Sequence, residues 1–162
     1  MAQTNSSFSV NLQIEESVPT PQTEWKSKLV RAAQTVLAQA RVSSETKLSI
    51  VLADDQRLQE LNRQFAGNDK SADVLSFPVE PDELRPEDEM YIGDVIISVE
   101  RAAQHAHTGG HPLLAELQLL TIHGVLHLLG HVHAHPKEKA DMWRAQTSAL
   151  NAINASISAP SD

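Results

Sequence analysis

"HGVLHLLGHVH", residues 123–133, decides how this chain is read. It closes an apolar run that begins after Pro112, and it carries His123, His127 and His133 at the spacing H-x3-H-x5-H, with Gly130 between the last two. In a helix, positions i and i+4 lie about 40° apart around the axis and roughly 6 Å apart along it. His123 and His127 can therefore aim their rings at one ion. His133 is too far round to join them from the same straight helix. Gly130 supplies the break, because glycine takes positive φ and ends helices, and the chain beyond it can turn back with His133 as third ligand. Three neutral imidazoles leave a fourth position open, the pattern of a catalytic rather than a closed structural site. Zinc is the expected ion, although imidazole also suits nickel, copper and iron. The competing reading is that these are hydrogen-bonded core histidines; the glycine-broken triplet in a chain without cysteine favours the metal.

Working outward, residues 8–14 alternate apolar and polar and predict a half-buried strand. Residues 24–41 place Trp25, Leu29, Val36 and Leu37 near one face of an amphipathic helix. Residues 47–53 predict a second strand. Asp54 or Asp55 then caps a helix through Phe65, since a carboxylate there accepts the free N–H groups of the first turn. Residues 74–77 form a short strand stopped by Pro78, an acidic loop follows to residue 89, and 91–99 is a strand interrupted at Gly93 and Asp94. The last third is helical: 99–107, then a helix with Pro112 in its first turn running to Gly130, then 138–153. Strands early and helices late give α+β, a small mixed β-sheet packed by helices, with the metal site at the end of a central helix.

The 162 residues, 41% hydrophobic and 21% charged, suit one globular domain with a core over 8–153 and flexible ends at 1–7 and 154–162. The absence of cysteine excludes disulfides and thiolate metal sites and fits a cytoplasmic protein. The start has neither a basic region nor an apolar run, so no secretory signal is expected. The most apolar stretch contains Glu116, Gln118, His123 and His127, which argues against a membrane span. A net charge of −8 speaks against nucleic acid as a partner, since phosphate binding uses Lys and Arg. A divalent ion can nevertheless dominate the field of a cleft.

All eight histidines fall between residues 105 and 135. His105, His107, His111 and His135 read as surface or loop residues. His131 lies beside the site as a substrate contact, a competing ligand or a solvated side chain. Glu116, two turns before His123 on the same stripe, either hydrogen-bonds the second nitrogen of a ligand or faces solvent or a salt bridge. Zinc proteases of the metzincin type use the same histidine ladder, but carry Glu as general base where this chain has Gly124.

With these motifs in view, the chain resembles the YbeY family of bacterial endoribonucleases and rRNA maturation factors. The run from His123 to Gly130 with His133 is similar to the family signature. Leu61-Asn62, Gly67-x-Asp69 and residues 73–78 (DVLSFP) resemble its second block, and residues 92–98 (IGDVIIS) its third. Order and spacing agree over about residues 45–145. The resemblance implies an α+β fold, one divalent metal on the three histidines, and action on single-stranded RNA. It further implies maturation of the small-subunit rRNA 3′ end and ribosome quality control, with the ribosomal small subunit or its proteins as partners. Gly124 is the residue that family has where the protease has its base. The metal would lower the pKa of its bound water to about 7 and polarise a phosphoryl oxygen; no side chain is assigned as the catalytic group.

Three positions depart from the family pattern. Ala66 stands where the family has Arg, a residue that grips phosphate in a two-pronged way, and losing one such donor typically costs roughly 10²–10³ in rate. Arg63, one helical turn earlier, and Lys70, just after, are the candidates to contact phosphate instead; the alternative is that both are plain surface cations. Val132 replaces an Asp before the third histidine, and His131 a Tyr. Ser71-Ala72 replaces a common Pro-Thr. Asp69, Ser76 and Asp94 lie in family blocks and either line the cleft or serve as caps, turns or sheet ends. The leading expectation is a metal-dependent endoribonuclease. A ribosome-associated maturation or assembly factor with weak nuclease activity comes second, motivated by Ala66 and Val132, and a metalloprotease third. Met142 imitates a metzincin Met-turn but falls in a predicted helix.

Overall fold

The computed structural model describes residues 8–18, 23–66, 72–79, 90–131 and 135–155. Residues Asp69, Lys70, Ser71, Val132 and His133, the acidic stretch 80–89 and the ends 1–7 and 156–162 lie outside them. The described elements are β1 (Ser9–Ile14), α1 (Glu24–Gln39), β2 (Lys47–Ala53), α2 (Asp55–Ala66), β3 (Val74–Pro78), β4 (Tyr91–Ser98), α3 (Val99–Gly109), α4 (Leu113–Leu128) and α5 (Pro136–Ala152). The four strands form one mixed sheet in the order β1-β2-β4-β3. β1 and β4 run parallel to β2, while β3 is antiparallel to β4. This is the α+β arrangement that the patterning predicts.

The two-residue period of the strands sorts the layers. Leu48, Ile50 and Leu52 of β2, with Val95 and Ile97 of β4, join the main core with α1, α4 and α5. Val51, Ala53 and Ile96 point the other way, to a smaller cluster with Leu58 of α2 and with Leu75 and Phe77 of β3. α4 is apolar nearly all round and packs against α1, α3, α5, β3 and β4, as a helix enclosed by its neighbours must be.

Local chemistry sets the element ends. Asp54 caps α2, its Oδ1 accepting from Arg57 N–H at 2.8 Å. Gly130, at φ +96°, stops α4: Gly130 N–H donates to His127 O and His131 N–H to Leu126 O, both at 3.0 Å, a Schellman closure. Four expectations shift. Pro112 is not in the first turn but precedes it, with extended backbone (φ −64°, ψ 151°). α5 starts two residues early because Pro136 is well suited to its first turn. Asn154 and Ala155, assigned to a flexible tail, instead close α5 by backbone bonds to Asn151 O and Leu150 O. β4 is continuous through Gly93 and Asp94; the irregularity is a register shift against Lys47 and Leu48. Gly93, at φ +143°, is required because a Cβ would stand 2.3 Å from Phe77 O and 2.8 Å from Leu128 Cδ2.

Gly124 has a packing reason. A Cβ there would meet Val95 Cγ1 at 2.5 Å and Val74 Cγ2 at 3.3 Å, so α4 rests on the sheet through glycine. Gly124→Ala gains roughly 1 kcal/mol of helix propensity but overpacks the interface, which typically costs about 1–3 kcal/mol. Because Val95 is fully buried, the overlap should win. A net loss of about 1 kcal/mol is expected in urea unfolding, and a gain would show that helix and sheet separate freely.

Candidate metal centre and cleft

His123 and His127 occupy successive turns near the end of α4. Their Nε2 atoms face each other at 3.0 Å, with ring centroids 4.6 Å apart and planes at 66°. Two nitrogens sharing a tetrahedral zinc at about 2.0–2.1 Å lie roughly 3.3 Å apart, so the pair fits a divalent ion. Among the described residues no group of three His, Cys, Asp or Glu is placed to hold a metal; His133, the expected third ligand, lies outside them.

The pair opens on a cleft of about 340 Å³ whose opposite wall is β3 and the residue before it, Asp73, Val74, Leu75, Ser76 and Pro78. Ser76 belongs to this wall. Its Oγ also donates to Gly124 O at 2.9 Å, fastening β3 to the helix beside His123. Asp73, which the sequence did not single out, lines the cleft too. Its carbonyl accepts from Ser98 N–H at 2.9 Å, and its Oδ2 lies 3.4 Å from His105 Nδ1.

Other candidates go elsewhere. Asp94 does not line this cleft. It alternates with Val95 and shares the α2 face of β4 with Ile96, where it accepts from the hydroxyl of Tyr91. Glu116 is buried (2% exposed), and its carboxylate meets His111 Nε2 at 2.6 Å and His105 Nδ1 at 3.7 Å. It therefore serves the α3–α4 elbow, not the ring of His123, because the stripe it shares with His123 turns toward α3 two turns back. His111, read as a surface or loop residue, lies in the loop between α3 and α4, with its side chain tucked against that carboxylate (8% exposed). Arg63 is exposed on α2, the helix on the far side of the sheet from α4, and Ala66 is the last residue of the same helix. Beside them Phe65 is 63% exposed and meets Phe77 edge-on, with ring centroids 5.4 Å apart. His131 follows the glycine closure and is half-buried.

Gln146 of α5 is the residue the sequence reading missed. Its Oε1 lies 3.1 Å from His123 Nδ1. The available signal was a lone amide in the buried stripe Met142, Gln146, Ala149, Leu150.

A family model described as "Endoribonuclease YbeY" matches residues 10–154. The chain belongs to the YbeY family. A YbeY relative from Pelotomaculum thermopropionicum, named as an endoribonuclease, is 41% identical over 128 residues, covering 78% of this chain and 84% of its own. The YbeY endoribonuclease of Renibacterium salmoninarum is 38% identical over 152 residues, 90% of this chain and 93% of its own. A solution structure of a Thermotoga maritima protein superposes with a TM-score of 0.61 at 21% identity, over 89% of this chain and 88% of that one. That likeness speaks for the fold. Within the YbeY frame Gly124 is a contact residue of helix and sheet, and a protease-type glutamate would be driven into Val95 instead of facing the cleft. No helix of the described residues is long and apolar enough to cross a membrane.

Two outcomes are expected. Tyr91, the chain's single tyrosine, has its phenol pushed up from 10.0 to about 12 by burial first and by the hydrogen bond to Asp94 second. A raised pKa means the folded state holds the proton longer, so this stabilisation is intact below pH 10 and disappears as pH rises toward about 12. Ultraviolet titration should find that late midpoint, and Asp94→Asn should lower it. Glu116→Ala strips buried His111 of its partner and should cost about 1–3 kcal/mol in urea unfolding; a neutral effect would remove the elbow from the fold's energetics.

Proposed function

We propose that this YbeY chain is a metal-dependent endoribonuclease that cuts single-stranded RNA. The setting that family resemblance suggests is small-subunit rRNA 3′-end maturation and ribosome quality control in the cytoplasm, with the small subunit or its proteins as partners. The observation that carries the reading is the pair of imidazoles on α4 converging at 3.0 Å on a cleft walled by a sheet strand, in a chain whose curated relatives are named as endoribonucleases. His123 and His127 would hold one divalent ion, with His133 as the third ligand by its place in the signature, and zinc suits an all-imidazole set. When bound, such an ion supplies Lewis acidity toward a phosphoryl oxygen.

The chain's own groups divide the remaining work. Ser76 ties β3 to α4, so the two walls keep a fixed spacing and the imidazoles keep their direction. Asp73, at the cleft's edge, is a carboxylate that phosphate must avoid; it steers an RNA backbone toward the histidine side. With a net charge of −8, the chain as a whole repels a polyanion, so attraction must be local. This makes the site's cation the natural anchor for phosphate.

The test uses purified protein, its measured metal content, a labelled single-stranded RNA, its duplex and an unfolded protein. Cleavage of the single strand is expected. It should disappear in His123→Ala and on chelation, and return when zinc is restored. Ala66→Arg supplies the guanidinium that the resemblance implies; a rise in rate on the order of 10²-fold is the outcome if the end of α2 reaches the cleft, and no change is the outcome if it stays on the far face of the sheet. Ribosome association without cleavage in the wild type would favour the assembly-factor role, and proteolysis without RNA cleavage would overturn the reading.

A further inference from the structure

The two nitrogens of His123 are committed to different neighbours. Nε2 faces His127 Nε2 at 3.0 Å on the cleft side. Nδ1 faces the Gln146 side-chain oxygen at 3.1 Å on the α5 side. Gln146 is 3% exposed and is the polar member of the buried stripe of α5, alongside Met142, Ala149 and Leu150. Burying an amide is unfavourable unless it is hydrogen-bonded, so its place there needs a partner, and His123 is one. Gln146 does not line the cleft; whatever it does for chemistry passes through the imidazole.

An amide oxygen can only accept a hydrogen bond. Its partner Nδ1 must therefore carry the imidazole proton, which leaves a lone pair on Nε2. That lone pair points where His127 points. It can accept from the Nε2–H tautomer of His127, so one proton arrangement satisfies both contacts, and His127 gives up that proton when it ligates. The reversed amide would place NH₂ against Nδ1 and put the His123 proton on Nε2, where it would block ligation. The two amide orientations thus differ by a proton position that can be observed directly.

We propose that Gln146 is a positioning residue: its side-chain oxygen holds His123 in the Nδ1–H tautomer and presents the bare Nε2 to the metal centre. This rests on the metal reading given above. An amide does this without adding charge, whereas a carboxylate in the same place would also increase the basicity of the ligand. Gln146→Glu keeps the acceptor, and Gln146→Met keeps the volume while deleting it.

The first measurement needs no metal and no variant. In ¹⁵N-labelled metal-free protein at alkaline pH, where imidazoles are neutral, long-range proton–nitrogen correlations assign the tautomer of His123. Nδ1–H is expected in the wild type and in Gln146→Glu, and Nε2–H, the commoner tautomer of free histidine, in Gln146→Met. The second is zinc affinity by competition with a chromophoric chelator. It should fall about 10–100-fold in Gln146→Met, the usual cost of losing such support, and stay at or above the wild-type value in Gln146→Glu. His123 protonated on Nε2 in the wild-type protein overturns the proposal, whether or not Gln146→Met folds. So does a folded Gln146→Met with unchanged tautomer and affinity. A wild type that shows Nδ1–H but takes up no zinc sinks the metal reading instead, so the two failures are told apart.

Discussion

At Gly124 the central helix lies so close to β4 that a single methyl group would overlap Val95. That contact sets the rotation of α4 about its axis, because glycine is the side that must face the sheet. With residue 124 turned inward, residues 123 and 127 emerge together at the border between helix and sheet, beside β3. Ser76 completes the constraint by bonding the carbonyl of that same glycine. The direction of the two imidazoles is thus a consequence of helix–sheet packing. The same contact explains why a histidine ladder shared with proteases appears here without their glutamate: a carboxylate at 124 has no space and would be buried among valines.

Four of the described histidines form two systems with opposite tasks. On the cleft side, His123 and His127 bring their Nε2 atoms within 3.0 Å of each other, an arrangement that suits a cation. At the α3–α4 elbow, Glu116 sits between His111 and His105, and His105 reaches on to Asp73. There each imidazole meets a carboxylate, His111 through Nε2 and His105 through Nδ1. Asp73 belongs to both systems, lining the cleft while pairing with the elbow, so the wall of the site is anchored to the joint between two helices. Burial of a carboxylate at 2% exposure is tolerable because it is hydrogen-bonded to His111 and has the imidazole of His105 nearby.

Much of the fold was legible along the chain. The alternation in 47–53, the carboxylate before 55 and the glycine at 130 each acts within a few residues, and each does what its local chemistry dictates. The convergence of His123 and His127 was legible for the same reason, since i,i+4 spacing is a property of one helix. Glu116 shows the limit. Spacing put it on the stripe of His123, but two turns along a helix is enough to change the neighbour from β3 to α3, and that neighbour decides its partner. Asp94 shows another. Membership of a motif block says nothing about which face of a strand a residue takes, and its alternation with Val95 sends it away from the cleft.

The sequence by itself determined the elements, their caps and the imidazole pair, because those depend on interactions across at most two helical turns. Kinship with the YbeY family was likewise written in three co-linear blocks. Only the tertiary structure decided which groups attend the pair. Gln146 stands 23 residues from His123 in the chain, and Ser76 stands 48 from Gly124. Their meeting depends on how α5 and β3 pack around α4, which no local pattern encodes. The physical reason is range: backbone conformation is chosen among near neighbours, whereas a side chain's partner is chosen by the packing of whole elements.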